Sequence, residues 1–356
     1  MSVADKLYFT KENIERYRFN ASSVLAEQAV HCLELVAELS SCGLSFQFKG
    51  GNSLLLILGE PKRFSIDVDV ATDKPREEIE AALDRIVAEF GVFTKWERRQ
   101  HKTKPWLPLS SYHLYYNSVF DDAPTDANIM FDVQMRRSDY ETEFKEVCCG
   151  EIYKSSVKTE LPLPSSIISD KLLTLGPATL GIPIGRGKEA QRLKHVYDVS
   201  RLAATMPDIA AMRVSFHNCL KQENELQGTT HTVMDIVKDT LALLFTTAQH
   251  DVMPESSEIP ALSENIKGLK PFAAHLFESM YDWEKLRRDM ARTALCMSAV
   301  GNENVTNETL HKLLALTDIP AKFKTGGGVF KIETPYIALL WDTVYEWWGE
   351  DAFWIE

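Results

Sequence analysis

"FKGGNSLLLILGEPKRFSIDVDVATDK", residues 48–74, places two glycines, an asparagine and a serine before an oily run, then an arginine, then two aspartates one valine apart. "SFQFKGG" reads as a short strand closed by a glycine turn, and "NSLLLILGE", apolar all round, as a short buried helix. "FSIDVDVA" alternates with period two and is rich in β-branched residues, which predicts a strand. Residues i and i+2 of a strand point to one face with Cα atoms roughly 6.5 to 7 Å apart. Asp67 and Asp69 therefore converge, while Ile66, Val68 and Val70 turn the other way into the core. Two carboxylates held that close repel unless a proton or a cation sits between them. Hard oxygen donors of this kind suit Mg²⁺, which also binds nucleotide phosphates.

A third carboxylate comes from "IMFDVQMR", where Asp132, Gln134 and Arg136 share one face and Phe131, Val133 and Met135 the other. Laid beside "IDVDV", this strand makes Asp132 the third member of a three-carboxylate site for two metal ions, about 3.5 to 4 Å apart. Upstream, Gly50 and Gly51 let the backbone come close to a phosphate, Ser53 offers a hydroxyl, and the start of the following helix offers N–H groups. Arg63 is either an ion-pair partner of the acidic cluster or a phosphate contact. A Gly-Gly turn alone is usually just a turn, and Asp-x-Asp alone is common on exposed strands; the spacing of the two around a leucine helix is what joins them.

Outward from this stretch, "SVLAEQAVHCLELVAELS" (23–40) has helical spacing with Gly43 as its stop, and "KPREEIEAALDRIVAEFG" (74–91) is a charged amphipathic helix. "VFTKWERR", "YHLYYNSV", "NIMFDVQMR" and "KEVCCGEIYK" read as strands. This predicts an α+β chain: a first domain over 1–164 with a mixed or antiparallel sheet, then a mainly helical domain over 165–356. Helices are expected around 165–175, 190–204, 230–249 and 271–300, with "HDVMPESSEIPALSEN" as a loop. In the tail, Trp341, Tyr345 and Trp348 fall at helical spacing and read as core packing.

The chain has 356 residues, 45% hydrophobic and 25% charged, with a formal net charge of -12. That composition is globular, and its charge argues against a generally basic nucleic-acid binder. Local basic clusters stand out nonetheless: Arg98, Arg99, Lys102 and Lys104 beside Trp96 and Trp106, and Arg186, Lys188 and Arg192 further on. The charged N-terminus has no apolar signal region and no run is long enough to span a bilayer, so a cytoplasmic protein without membrane contact is expected. Six cysteines without a CxxC pair read as buried thiols. "TGGGVF" (325–330) lacks the Lys-Ser/Thr of a P-loop and reads as a turn.

"KGGNSLLLILGEPKRFSIDVDV" resembles the signature of the AbiEii/AbiGii nucleotidyltransferase toxins, in the DNA polymerase β-like nucleotidyltransferase superfamily: Gly51 and Ser53, a short helix, then Asp67 and Asp69. "SSIISDKLLTL" resembles the family's lysine helix, with Lys171 as that lysine, and "GRGKEAQRLKHVYDVSRL" its next motif, with Asp198 as the aspartate. His195 departs from the acidic residue many relatives carry there. The resemblance spans residues 45–205. It implies that Gly50, Gly51 and Ser53 hold the nucleotide, that Asp67 and Asp69 bind metal, that Lys171 neutralises triphosphate charge, and that Asp198 positions or activates the reacting groups, both from the helical domain into the cleft. It further implies a Mg²⁺-dependent toxin that takes an NTP, acts on tRNA and is held by a cognate antitoxin protein. A small-molecule acceptor such as an antibiotic, a protein acceptor, or a nucleotide binder without transferase activity are the competing readings.

Overall fold

A computed structural model describes residues 2–59, 62–99, 108–248, 250, 252–277, 280–316 and 335–349. Lys102, Lys104, Trp106 and the "TGGGVF" segment lie outside the described residues. The chain divides into two compact units: Met1–Ser138 with Thr142–Leu163 and His275–Ser279, and Asp139–Glu141 with Pro164–Ala274 and Met280–Glu356.

The first unit is built on a seven-stranded mixed sheet of β1 (Gln47–Lys49), β2 (Asp67–Ala71), β3 (Phe93–Arg99), β4 (Leu109–Tyr116), β5 (Asn128–Gln134), β6 (Thr142–Cys149) and β7 (Tyr153–Pro162), in the order β3-β4-β5-β2-β1-β7-β6. β2 runs parallel to β5 and antiparallel to β1, and β1 runs parallel to β7. After a short α1 (Lys11–Tyr17), α2 (Ser23–Ser41) packs across β7, β2 and β5. The Ser22 hydroxyl accepts from the Leu25 N–H to cap α2, and Gly43, at φ +80°, releases the chain from its end. α3 (Ser53–Ile57) is wholly buried, and α4 (Arg76–Arg85) runs on through one π-helical turn, Ile86–Phe90, to Gly91.

Burial along β2 and β5 alternates as their sequence pattern predicts: Val68, Val70, Phe131 and Val133 are buried, while Asp67, Asp69, Asp132 and Gln134 are half-buried on the other face. "KEVCCGEIYK", expected as one strand, is instead a hairpin. Gly150 adopts φ +52°, a left-handed conformation that glycine takes at little cost, and the chain reverses there from β6 into β7.

The second unit comprises α5 (Pro164–Leu173), α6 (Glu189–Ala203), α7 (Ile209–Gln227), α8 (Val233–Phe245), α9 (Pro260–Ala273), α10 (Trp283–Gly301), α11 (Asn307–Leu314) and α12 (Pro335–Trp348). α10 packs against α6, α7, α8, α11 and α12, and nearly its whole circumference is buried. The expected single helix over 271–300 is two: Pro271 lies in the last turn of α9, and α10 starts after the Asp282 cap, whose carboxylate accepts from the Lys285 N–H. α7 was not anticipated, and α9 begins inside the expected loop, with Pro260 in its first turn where no intrahelical N–H is needed. Of the tail stripe, Trp341 is buried and Tyr345 and Trp348 are half-buried. All six cysteines are free thiols, four of them buried. Among the described residues no helix is long and apolar enough to cross a membrane.

Candidate active site

The register of the central strands sets a row of polar side chains across one face of the sheet. Lys49 of β1 lies opposite Asp69 of β2, Asp69 opposite Asp132 of β5, and Asp132 opposite Ser111 of β4. Arg99 of β3 continues the row beyond Ser111. Paired residues on neighbouring strands share a face, so this row sets two adjacent carboxylates and a hydroxyl between two cations over a span of five strands. A cavity of about 240 Å³ opens along it, lined by Lys49, Asp69, Ser110, Ser111, Asp132 and Gln134. The Ser111 hydroxyl donates to Asp132 Oδ1, and Lys49 Nζ lies 3.4 Å from Gln134 Oε1 and 3.5 Å from Ser138 Oγ.

Asp67 is placed differently. It pairs with Met130 and lines a second cavity of about 240 Å³ with Gln28, Asp126, Asn128 and Tyr116. Cys32 of α2 is fully buried within electrostatic reach of both aspartates. Burial pushes its thiol well above the ordinary value; Asp67 and Asp69 add to the rise, while the Asn52 amide opposes it. Among the described residues no three His, Cys, Asp or Glu side chains are gathered into a metal-holding group. Asp67 and Asp69 share the half-buried face of β2 and Asp132 lies opposite Asp69 on β5, with Asp69 and Asp132 lining one cavity and Asp67 the other. The donor chemistry still fits a hard divalent cation: the ligands on offer are carboxylate, amide and hydroxyl oxygens, with no exposed imidazole or thiolate in the lining.

The Gly-Gly turn is fixed by its neighbours. A side chain at Gly50, which holds φ +72°, would place its Cβ 1.9 Å from Asp69 Oδ2, and one at Gly51 would meet Ser65 Oγ at 2.7 Å and an Arg63 Nη2 at 2.9 Å. Glycine here makes room for the Asp69 carboxylate and the Arg63 guanidinium. The Ser53 hydroxyl is fully buried and donates to the Gly50 carbonyl at 2.9 Å, and the Asn52 amide donates to the Asp67 carbonyl at 2.8 Å, tying the turn to β2. Among the described residues the buried Asn52 Oδ1 has no hydrogen-bond partner. Arg63 is buried beside the turn, with Nη1 on the Phe64 carbonyl at 3.3 Å.

Within the helical unit, Lys171 of α5 and Asp198 of α6 form an ion pair of 2.8 Å, with side chains only 5% and 2% exposed. On a helix a lysine is by default a solvated surface residue; here it is a buried partner. Arg192 is committed elsewhere: it pairs with Glu264 at 2.7 Å and donates to the Ile182 carbonyl at 2.8 Å, while Arg186 and Lys188 are exposed. In the first unit Arg98 pairs with Glu80, and the Trp96 indole donates to Asp84, so one member of the first basic cluster and the tryptophan beside it are held by α4. Ser111 was missed by sequence reasoning, since only the β4–β5 register reveals it. Lys49 carried a signal, its position at the end of a strand entering the turn.

The family model described as "Nucleotidyl transferase AbiEii toxin, Type IV TA system" matches residues 34–292. No curated protein matches the chain. A solved structure, an antigenic nucleotidyltransferase-like protein from Paracoccidioides brasiliensis, is similar at 12% identity and a TM-score of 0.34, covering 57% of this chain and 91% of that one. A likeness of that size carries no argument here.

Proposed function

The chain belongs to the AbiEii nucleotidyl transferase toxins of type IV toxin–antitoxin systems, and from that premise we propose that it transfers a nucleoside monophosphate from an NTP to a tRNA hydroxyl in a Mg²⁺-dependent reaction. A nucleoside triphosphate substrate and an antitoxin partner come with the family; the tRNA acceptor and Mg²⁺, which the sequence resemblance implies, are proposed. The observation that carries it is the row Lys49, Asp69, Asp132 and Ser111 over its cavity, two residues from Asp67 and one from the Gly50–Gly51 turn.

In the proposed reaction the acceptor oxygen attacks the α-phosphorus, its proton passes to a carboxylate of the site, and the bond to the β-phosphate oxygen breaks to release pyrophosphate. Asp67, Asp69 and Asp132 would hold the divalent ions. Bound there, Mg²⁺ supplies charge neutralisation for the triphosphate and the departing pyrophosphate. Gly50, Gly51 and Arg63 would hold the phosphates, with Ser53 turning its hydroxyl from the Gly50 carbonyl to the nucleotide. Lys171 and Asp198 keep the roles the family resemblance gives them, neutralising triphosphate charge and positioning the reacting groups.

The test incubates the purified protein with total tRNA, Mg²⁺ and each of four labelled NTPs, beside an Asp67→Asn/Asp69→Asn variant. Label on tRNA that disappears in the variant is the expected result. Metal-dependent NTP binding with no label on tRNA would overturn the acceptor and turn the search to small molecules or proteins. Transfer at the wild-type rate by the variant would overturn the site.

A further inference from the structure

The helical unit holds a cavity of about 350 Å³ lined by Ser200, Arg201, Ala204, Met206, Arg288, Arg292 and the residues 314–316 that end and follow α11. This lies within the size range of small-ligand pockets. Its lining contains three guanidinium groups and, among the described residues, no carboxylate. Arg288 and Arg292 stand one turn apart on the same face of α10. They face Arg201 in the last turn of α6.

The basic wall is built. Asp289, fully buried behind the cavity, accepts from the Ser200 hydroxyl at 2.7 Å and the Tyr281 hydroxyl at 2.8 Å, and it pairs with Arg201 at 2.5 Å. Arg201 also lies over the Tyr197 ring, 4.8 Å from its centroid. Arg292, 9% exposed, donates to the Leu314 carbonyl at 3.1 Å. Arg288 is held most loosely: its Nε is 3.6 Å from Asp289, its side chain is 34% exposed, and it makes no hydrogen bond to a described residue. Apart from Ser200, the rest of the lining is apolar: Ala204, Met206, Leu314, Ala315 and Leu316.

We propose that this cavity binds a nucleotide unit, with its phosphate on Arg201, Arg288 and Arg292 and its base against Met206 and Leu314. Planar guanidiniums match phosphate oxygens in pairs and also stack on bases. A phosphate carried on a flat apolar ring matches both the basic and the apolar part of this lining, whereas an acidic peptide side chain offers the charge without the ring. None of the lining residues belongs to the site assigned above, so the inference does not rest on the transfer chemistry. The phosphate ester is the shared chemistry of a free nucleotide and of a polynucleotide end or backbone.

The experiment uses full-length Asp67→Asn/Asp69→Asn protein without added divalent metal, so that failure of the transfer reading leaves the measurement intact. A fluorescently labelled RNA hexamer is titrated by anisotropy at several salt concentrations, with AMP and inorganic phosphate as competitors. Arg288→Gln removes the loosest guanidinium, and Ala204→Trp fills the cavity from an exposed position without changing charge. Arg18→Gln in the first unit, a half-buried arginine paired with Glu15, is the charge-matched control. The expected result is binding weakened about tenfold by Arg288→Gln, the loss of one charge-assisted contact, with a log–log salt slope shallower by about one. Ala204→Trp should weaken it at least as much, and Arg18→Gln not at all. Displacement by AMP identifies a single nucleotide as sufficient; displacement by unlabelled RNA alone identifies a polymer. Equal binding by all variants would overturn the proposal. So would Arg288-dependent capture of a labelled polyglutamate peptide with no nucleotide binding, which would give the pocket to an acidic protein segment.

Discussion

Replacing Gly50 with alanine tests whether the Gly-Gly turn exists to seat Asp69. At φ +72° a residue with a Cβ costs roughly 1 to 2 kcal/mol in backbone strain alone. The added Cβ would also lie 1.9 Å from Asp69 Oδ2, 2.6 Å from Cγ and 2.7 Å from Cβ. Rotating the carboxylate relieves the first two contacts; the third is anchored to the strand, so β2 and the turn must part as well. The carboxylate has to retreat by on the order of 1 Å, a misplacement that can cost a reaction about 10²-fold. Gly43→Ala is the matched control, since Gly43 has φ +80° with nothing described within 4 Å of the new Cβ. Urea unfolding and the labelled-tRNA transfer assay would be run on both. Gly43→Ala should lose about 1 to 2 kcal/mol and keep its activity. Gly50→Ala should lose more stability and about 10²-fold in transfer. Adding Asp69→Gly to Gly50→Ala should recover the excess stability loss and leave the protein inactive. Wild-type transfer by Gly50→Ala, at a stability cost no greater than that of Gly43→Ala, would refute the reasoning.

Two further outcomes follow from buried charge. Burial, and then the neighbouring Glu34 carboxylate, push Glu38 up to about 10, while Glu34 accepts from the Val3 N–H at 2.6 Å and the Tyr153 hydroxyl at 2.6 Å. A carboxyl whose folded pKa is raised stabilises fully below its unfolded pKa, near 4.5, and loses that contribution as pH climbs toward 10. Glu38→Gln should therefore match wild type in chemical denaturation at pH 4 and exceed it by on the order of 3 kcal/mol at pH 7, at about 1.4 kcal/mol per unit; an offset that does not change with pH would count against it. For the buried Lys171–Asp198 pair, Asp198→Ala should cost about 3 to 5 kcal/mol by stranding the ammonium, and Lys171→Met in the same protein should restore most of it. A double variant no more stable than Asp198→Ala would show that the cost lies outside the pair.

What the sequence could carry was whatever repeats locally. The alternation in "IDVDV" and "IMFDV" put Asp67, Asp69 and Asp132 on the polar face of their strands, and helical spacing with Gly43 as its stop marked α2. Breaks in regularity were harder to read. "KEVCCGEIYK" keeps a strand-like composition through Gly150, and only that residue's left-handed φ turns it into a hairpin. Pro271 reads equally as a helix start or a helix end, and the structure uses it in the closing turn of α9. Partnerships made by packing leave no local trace: Lys171 meets Asp198 only because α5 lies on α6, and Ser111 joins Asp132 only through the β4–β5 register. The Gly-Gly turn shows the same division within one motif. Its composition announces a close approach, and phosphate is the approach that composition suggests. The structure adds a protein occupant, since Asp69 and Arg63 already stand where side chains at Gly50 and Gly51 would be. A glycine pair of this kind specifies the position of a carboxylate before it specifies a ligand, which is why the alanine substitution at Gly50 separates the two readings better than any substitution of the aspartates themselves.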